Sequence, residues 1–503
     1  MHWLVESAQV KVDRQFRLYQ FLGSLAINSN SARTVGQLRG IQMAISVNAG
    51  GRLDRLPISS FHHRIFWLVG AGMLLDGYDL YVFTNVLPAA AQSGFSTALQ
   101  NAEFISKTFL GMTIGALVTG FLGDRYGRRF TYQINLVIFG LASLAAAFAP
   151  DMTTLIWLRF LMGLGLGAEI VVGYATLTEF VPPSSRGRWL SFMAVMVVSG
   201  LPITALLGYL IIPAYGWRPM FAIAGVGALI VWYLRKALPE SPRWLEAQGR
   251  AQEAEILMHA IEQEAASAGP LPLPAPPAPA TKFNLASLVT PALLPRMIVG
   301  SWALITVNTL IFGFVTWLPQ FFLQQGLTIT RSFAYTLVIV LGTPIGALCG
   351  AFCADTIGRR HTIIGASVLT IALGMVYAGF TAATAPWLIL TVGFLLIVAI
   401  YIQVAMLFGV YTPELFPTDV RLRANGICHT FGRAATIVSP FIVLWLSQGY
   451  GTAGVLALMV SLLAVQIVAV WGWGVEPRQR SLEELDSAIP LSAGAEIMKA
   501  THH

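Results

Sequence analysis

Stretches of about 20 apolar residues recur along the chain, separated by short polar loops, and each is long enough for a helix to cross the hydrocarbon core of a bilayer. The pattern predicts spans near 65–90, 104–122, 131–149, 152–178, 188–212 and 218–236, then a break, then spans near 297–322, 332–354, 361–382, 387–411, 424–447 and 452–474. The expected fold is therefore an all-α membrane protein with twelve transmembrane helices in two six-helix bundles, 61–238 and 297–475. A cytoplasmic N-terminal segment (1–60), a cytoplasmic linker (239–296) and a cytoplasmic tail (476–503) complete the plan. The linker holds a charged helical stretch, RAQEAEILMHAIEQEAA, and then the tract GPLPLPAPPAPA. Such a tract is extended and semi-rigid, which suits a spacer. Met43 opens MAISVNAGGRLDRLPISSFHHR, an ordinary lead into the first span, so residues 1–42 read either as an upstream extension or as the product of a mis-called start.

Composition narrows the class. Of the 503 residues, 56% are hydrophobic and only 11% charged, too few charges to cover a soluble protein of this length. The net charge of +7 does not signal nucleic acid, because the basic residues collect in short loops. Arg125, Arg128 and Arg129, then Arg186 and Arg188, Arg235 with Lys236 and Arg243, Arg359 and Arg360, Arg421 and Arg423, and Arg478 with Arg480 all fall on one side. By the positive-inside rule that side and both termini are cytoplasmic, in a plasma membrane, here a bacterial inner membrane. Cys349, Cys353 and Cys428 lie inside apolar spans and imply neither a disulfide framework nor a metal site. There is no nucleotide-binding loop, metal set or nucleophile constellation, which argues against an enzyme and calls for no cofactor. The expected partners are a small-molecule substrate, protons and the lipid bilayer, with a monomer sufficient.

The two bundles repeat each other. GDRYGRR (123–129) returns as ADTIGRR (354–360), with Asp124 and Asp355 231 residues apart. TEFVPPSSRGR (178–188) returns as PELFPTDVRLR (413–423), where Glu179, Pro182, Arg186 and Arg188 recur 235 residues on. A duplicated six-span unit is the architecture of a carrier whose site lies between its halves. Each half therefore offers one ionic set: Asp124, Arg128, Glu179 and Arg186, and Asp355, Arg359, Glu414 and Arg421. Glu240 and Arg243 can close the first set from the far side.

These motifs resemble the major facilitator superfamily over residues 60 to 485. GDRYGRR, DTIGRR and PESPRWL are similar to the branch of sugar porters and metabolite:proton symporters, and DGYD (76–79) is similar to the aromatic-acid and related metabolite:proton symporters. The resemblance implies a secondary transporter working by alternating access, with the cytoplasmic charges acting as a latch that closes when the carrier opens outward. It also implies that Asp79 and Arg159, which heads RFLMGLGLG, form the proton-coupling pair.

The residues support that expectation on physical grounds. Asp76 and Asp79 lie three residues apart on one helix face, inside a span where each carboxylate costs on the order of 3 kcal/mol. A carboxyl group with an ordinary pKa near 4 exchanges protons near neutral pH only where its charged form is disfavoured by roughly 4 kcal/mol. Two neighbouring acids in an apolar span supply that penalty, and the approach of Arg159 reverses it. Glu169 is a further candidate, either for coupling or for a polar gap between helices. Candidate substrate-binding residues are the polar groups at membrane depth: Tyr78 and Asn85, Asn308 and Gln320, Gln403, His429 and Arg433. Arg433 either faces the cavity, where it would favour an anion, or joins the cytoplasmic Arg421 and Arg423. The seventh span, ITVNTLIFGFVTWLP, has no glutamine pair, and the tenth ends in YTPELFP. Both depart from sugar porters, whose hexose needs many hydrogen-bonding partners. The expected function is proton-coupled symport of a small organic acid or related metabolite, aromatic carboxylates included. A proton-coupled sugar transporter and a drug or metabolite:proton antiporter are the alternatives.

Overall fold

In the computed structural model, residues 47–267, 269–274, 293–380, 384–416 and 421–474 are described. The extension 1–42, the tail 476–503 and most of the Pro/Ala tract lie outside them, as do the side chains of Asp124, Asp355 and Arg421. The described chain is almost wholly helical, as a bilayer demands, because a helix satisfies its own backbone groups. Spans 1 to 6 are Ser60–Gln92, Ala98–Tyr126, Arg128–Ala147, Met152–Phe180, Pro183–Tyr215 and Arg218–Leu234. Span 7 is Leu294–Gly313 continued, after a 3₁₀ turn at Val315–Trp317, by Leu318–Gln324. Span 8 comprises Ile329–Val340 and Gly342–Thr356, span 9 is Arg359–Ala378 and span 10 is Pro386–Met406. Spans 11 and 12 run together as Arg421–Trp473, bending at Gly451, whose φ is 64°. Residues 421–450 and 452–473 thus give the eleventh and twelfth spans.

Local chemistry fixes the helix starts. Thr97 and Gln100 form a capping box at span 2, and Asp151 accepts from the Thr154 amide at 2.8 Å at span 4. Pro183 and Pro386 occupy first helical positions, where a missing N–H costs nothing. Large apolar side chains such as Trp67, Tyr215, Tyr233 and Trp445 are exposed around the bundle, as expected for a surface that meets lipid.

The halves meet along two equivalent seams, span 2 with span 11 and span 5 with span 8, and along span 1 with span 7. Polar contacts between described residues cross between them, among them Arg433 Nη1 to the Met112 carbonyl at 3.3 Å, Thr343 Oγ1 to the Val198 carbonyl at 3.4 Å, and the hydroxyls of Tyr401 and Tyr81 at 3.5 Å. Internal symmetry extends to single residues. Gly127 and Gly358, 231 positions apart, both hold positive φ (94° and 102°) before spans 3 and 9. On the face of the chain that carries the basic loops, a short helix Ala49–Asp54 and the linker helices Pro242–Ala247 and Ala251–Ala266 pack together over the ends of spans 1 and 4.

Candidate functional site

The DGYD stretch sits at a close approach of two backbones. A Cβ on Gly77 would lie 2.1 Å from the Val197 carbonyl oxygen of span 5, and one on Gly200 would lie 2.1 Å from the Gly77 carbonyl carbon. Only glycine admits this contact, and it leaves Asp76 and Asp79 enclosed, 1% and 0% exposed. Spans 2 and 4 interlock in the same way. Cβ atoms on Gly163 and Gly167 would strike the Thr108 and Met112 carbonyls at 2.5 and 2.0 Å, while those on Gly111 and Gly115 would strike the Phe160 and Leu164 carbonyls at 2.4 and 2.0 Å. Small residues let membrane helices meet at this distance.

That approach carries Thr108 to Arg159. The guanidinium is fully buried. Its Nη1 donates to Asp79 Oδ2 at 2.5 Å, Nη2 to the Asp79 carbonyl at 2.7 Å, and Nε to Thr108 Oγ1 at 3.2 Å. The Phe104 ring lies beneath it, 5.5 Å from Cζ. Every nitrogen thus has an acceptor, which a cation needs away from water. The carboxylates are less well served. Asp79 Oδ1 and both oxygens of Asp76 have no hydrogen-bond donor.

A second buried pair stands nearer the basic face. Arg235 Nη1 donates to Glu169 Oε1, Nε to the Leu68 carbonyl at 3.0 Å and Nη2 to the Val69 carbonyl at 2.8 Å. Tyr132 lies against the guanidinium, 4.6 Å from ring centre to Cζ. Reading Arg235 as a loop cation is therefore incorrect: its side chain is fully buried, turned into the bundle at the end of span 6. Position in the chain gave no signal of this, because a long side chain at a helix end can turn either way. Thr108 was also missed, although the Gly111/Gly115 spacing marks the close approach that brings it in.

The charges of the basic face form pairs within each half. Arg128 Nε meets Glu179 Oε1 at 3.2 Å, and its counterpart Arg359 Nε meets Glu414 Oε2 at 3.1 Å. Glu240 accepts from the backbone amides of Arg128 (2.9 Å) and Arg129 (3.2 Å), placing a carboxylate at the positive end of span 3. Arg186 and Arg243 converge on Asp54, at 3.2 and 2.6 Å. Asp54 was not anticipated, since only folding brings residue 54 beside the linker.

The polar groups considered for substrate are dispersed. Tyr78 donates to the Met220 carbonyl at 2.9 Å and Asn85 to the Thr204 carbonyl at 2.9 Å, both within the first half. Gln403 bonds Ser367, Thr370 and Gln466 within the second. Asn308 donates back to Leu304 in its own helix. Gln320 lines a narrow cleft with Asn101, Thr316 and Trp317 between spans 1, 2 and 7. His429 packs tilted against Phe408, with ring centroids 5.5 Å apart. Arg433, twelve residues into span 11, reaches span 2 across the seam, well removed from the Arg421 end of its helix. Near it the aromatic rings of Tyr81, Phe109 and Phe312 pack across the halves, with centroids 4.4 Å apart for Phe109 and Phe312 and 6.2 Å for Tyr81 and Phe312.

The family model described as sugar (and other) transporter matches residues 66–489. The chain is 36% identical to the inner membrane metabolite transport protein YdjE of Escherichia coli, over 87% of this chain and 98% of that one. It is 29% identical to the niacin transporter NiaP of Acinetobacter baylyi, over 86% of this chain and 98% of that one. Among solved structures, a D-xylose-proton symporter superposes with a TM-score of 0.64 at 19% identity, covering 84% of this chain and all of the other.

Proposed function

The chain belongs to the sugar (and other) transporter family of multi-pass membrane transporters, and from that premise we propose that it carries out proton-coupled symport of a small organic acid, with Asp79 and Arg159 as the coupling pair. The observation that carries the reading is their enclosed contact. A carboxylate and a guanidinium joined at 2.5 Å with no exposed surface stay together only while the acid is ionised. Protonation of Asp79 removes the attraction and frees Arg159, so proton occupancy and the joining of spans 1 and 4 are linked. Breaking such a buried pair changes the energy by about 3–5 kcal/mol, enough to exchange the populations of two states a few kcal/mol apart.

Arg433 supports an anionic cargo. It is a cation at the seam between halves, beside the aromatic packing of Tyr81, Phe109 and Phe312, and a carboxylate can pair with its forked donors. One relative is a niacin transporter by name, and niacin is an aromatic carboxylate. Arg433, His429 and Gln320 are the side chains we assign to substrate, since Tyr78, Asn85, Asn308 and Gln403 use their hydrogen bonds inside one half. The basic face is cytoplasmic on this reading, and the membrane is a bacterial inner membrane.

The test is uptake of labelled carboxylates, nicotinate and benzoate among them with a hexose for contrast, into proteoliposomes under an inward proton gradient. Wild type should accumulate an acid, while Asp79→Asn should only equilibrate it and keep exchange. Unchanged accumulation in the variant would overturn the coupling role, and uptake of the hexose alone would overturn the substrate class.

A further inference from the structure

The pair at Asp79 leaves a buried acid unexplained. Asp76 is 1% exposed and neither oxygen meets a donor, although it lies one turn from Asp79. A buried ionised carboxylate that meets no protein donor is held at a cost of several kcal/mol. That cost favours the neutral acid at Asp76, whereas the contact with Arg159 favours the carboxylate at Asp79.

Every element packed around Asp76 bears on what happens to its proton. Span 1 itself contributes Asp79, span 3 contributes Tyr132, and span 6 contributes Arg235, which is paired with Glu169 of span 4; Arg159 of span 4 is held by Asp79. Span 5 has no titratable group between Leu190 and Gly208. Arg235 is the cation whose charge acts on Asp76. Its guanidinium passes over Gly72, where a Cβ would come within 1.9 Å of Nη2, and Gly72 is one turn from Asp76 on the same face. Glu169, its present partner, keeps one oxygen without a donor.

We propose that Asp76, Glu169 and Arg235 form a second proton-handling unit, in which Arg235 exchanges one carboxylate partner for the other as a proton passes from Asp76 to Glu169. The step balances: the Asp76 acid loses its proton and becomes the carboxylate that Arg235 holds, and the Glu169 carboxylate that Arg235 leaves takes that proton. One ion pair and one neutral acid stand before and after, so no uncompensated charge is buried at either end. The unit lies on the basic-face side of Asp79–Arg159, because Arg235 is tied to Leu68 and Val69, eight and seven residues before Asp76 along span 1. Its role as an exit path toward the cytoplasm rests on the proton-coupled reading above.

Infrared titration of the reconstituted full chain tests it without any substrate. The carbonyl band of a buried neutral acid should be present near neutral pH, absent in Asp76→Asn, and retained in Asp79→Asn. Glu169→Gln/Arg235→Gln removes the pair without leaving a lone charge, so it should fold. There the Asp76 band should persist across the alkaline range in which wild type loses it, because no cation is left to receive the carboxylate. A pair that only braces the helices would leave that titration unmoved, which would overturn the proposal, as would a band indifferent to Asp76→Asn. Loss of all acid uptake in the liposome assay with the band behaving as described would instead remove the transport reading and leave the unit standing.

Discussion

Arg159 is an arginine that cannot be relaxed into water, and its three acceptors come from two helices, Asp79 of span 1 and Thr108 of span 2. Thr108→Val keeps the volume but leaves Nε facing a methyl group. Leaving one buried donor of a cation unmet costs about 1–3 kcal/mol or more. The apparent melting temperature in detergent should fall, whereas Thr113→Val, whose hydroxyl bonds only the Phe109 carbonyl of its own helix, should be close to neutral. Equal effects at the two positions would deny Thr108 its part in holding Arg159. The same physics explains which residues could be picked out beforehand. A charge at the centre of an apolar run is expensive and therefore conspicuous, which made Asp76, Asp79 and Arg159 legible. Arg235 stands at the margin of a span, where sequence looks the same whether the side chain turns to water or to the core. Tyr78, Asn85 and Gln403 stood out as polar at depth, but which neighbour each meets is decided by packing that a lone sequence does not contain.

Glycine spacing made the helix contacts partly legible. The Gly163/Gly167 stripe reads as a surface for close approach, and the reciprocal Gly111/Gly115 steps on span 2 complete it. Gly167→Ala would place a methyl group 2.0 Å from the Met112 carbonyl oxygen, which is backbone and cannot swing aside. Spans 2 and 4 must then separate, at about 1–3 kcal/mol or more, and Thr108 moves off Arg159. Because Met112 also accepts from Arg433, the seam between halves is disturbed with it. Gly187→Ala is the contrast: a Cβ there meets nothing within 4 Å, and in a helix the exchange gains about 1 kcal/mol. Thermal unfolding of both variants checks this, and a Gly167→Ala protein as stable as wild type would show that the interlock is slack. The seventh span was read as one helix, 297–322. Its break at Phe314, where φ is −122°, precedes Pro319, a residue that starts helices better than it continues them.

At the scale of the molecule, alternation of apolar spans and basic loops sufficed for the two bundles, but the covering of the basic face came only with the fold. Segments 47–59 and 242–266 are far apart in sequence and individually too short to announce their partner. They join through Leu53 and Leu56 against Ala254, Met258, Ile261 and Ala265, and through charge. Glu246 accepts from the Asn48 and Ala49 amides at 2.8 and 2.9 Å. Arg52 meets Glu255 at 2.5 Å and Glu262 at 2.7 Å, and Arg55 meets Glu262 at 2.5 Å. Burial alone would push the Glu262 carboxyl up, yet the hydrogen bonds from Arg52 and Arg55 outweigh it and hold the group below its ordinary value of 4.5. An acid depressed on docking contributes stability that is complete above that ordinary value and is lost as pH falls through the lower docked value. The cover should therefore stay closed at neutral pH and loosen only in acid. Hydrogen exchange of 49–56 at neutral pH and below pH 4 measures this directly: protection should drop in wild type, and Glu262→Gln should show the weaker protection at both pH values. Equal protection of wild type and variant at neutral pH would mean that the apolar contacts alone hold the segment, and that this face of the carrier does not respond to charge.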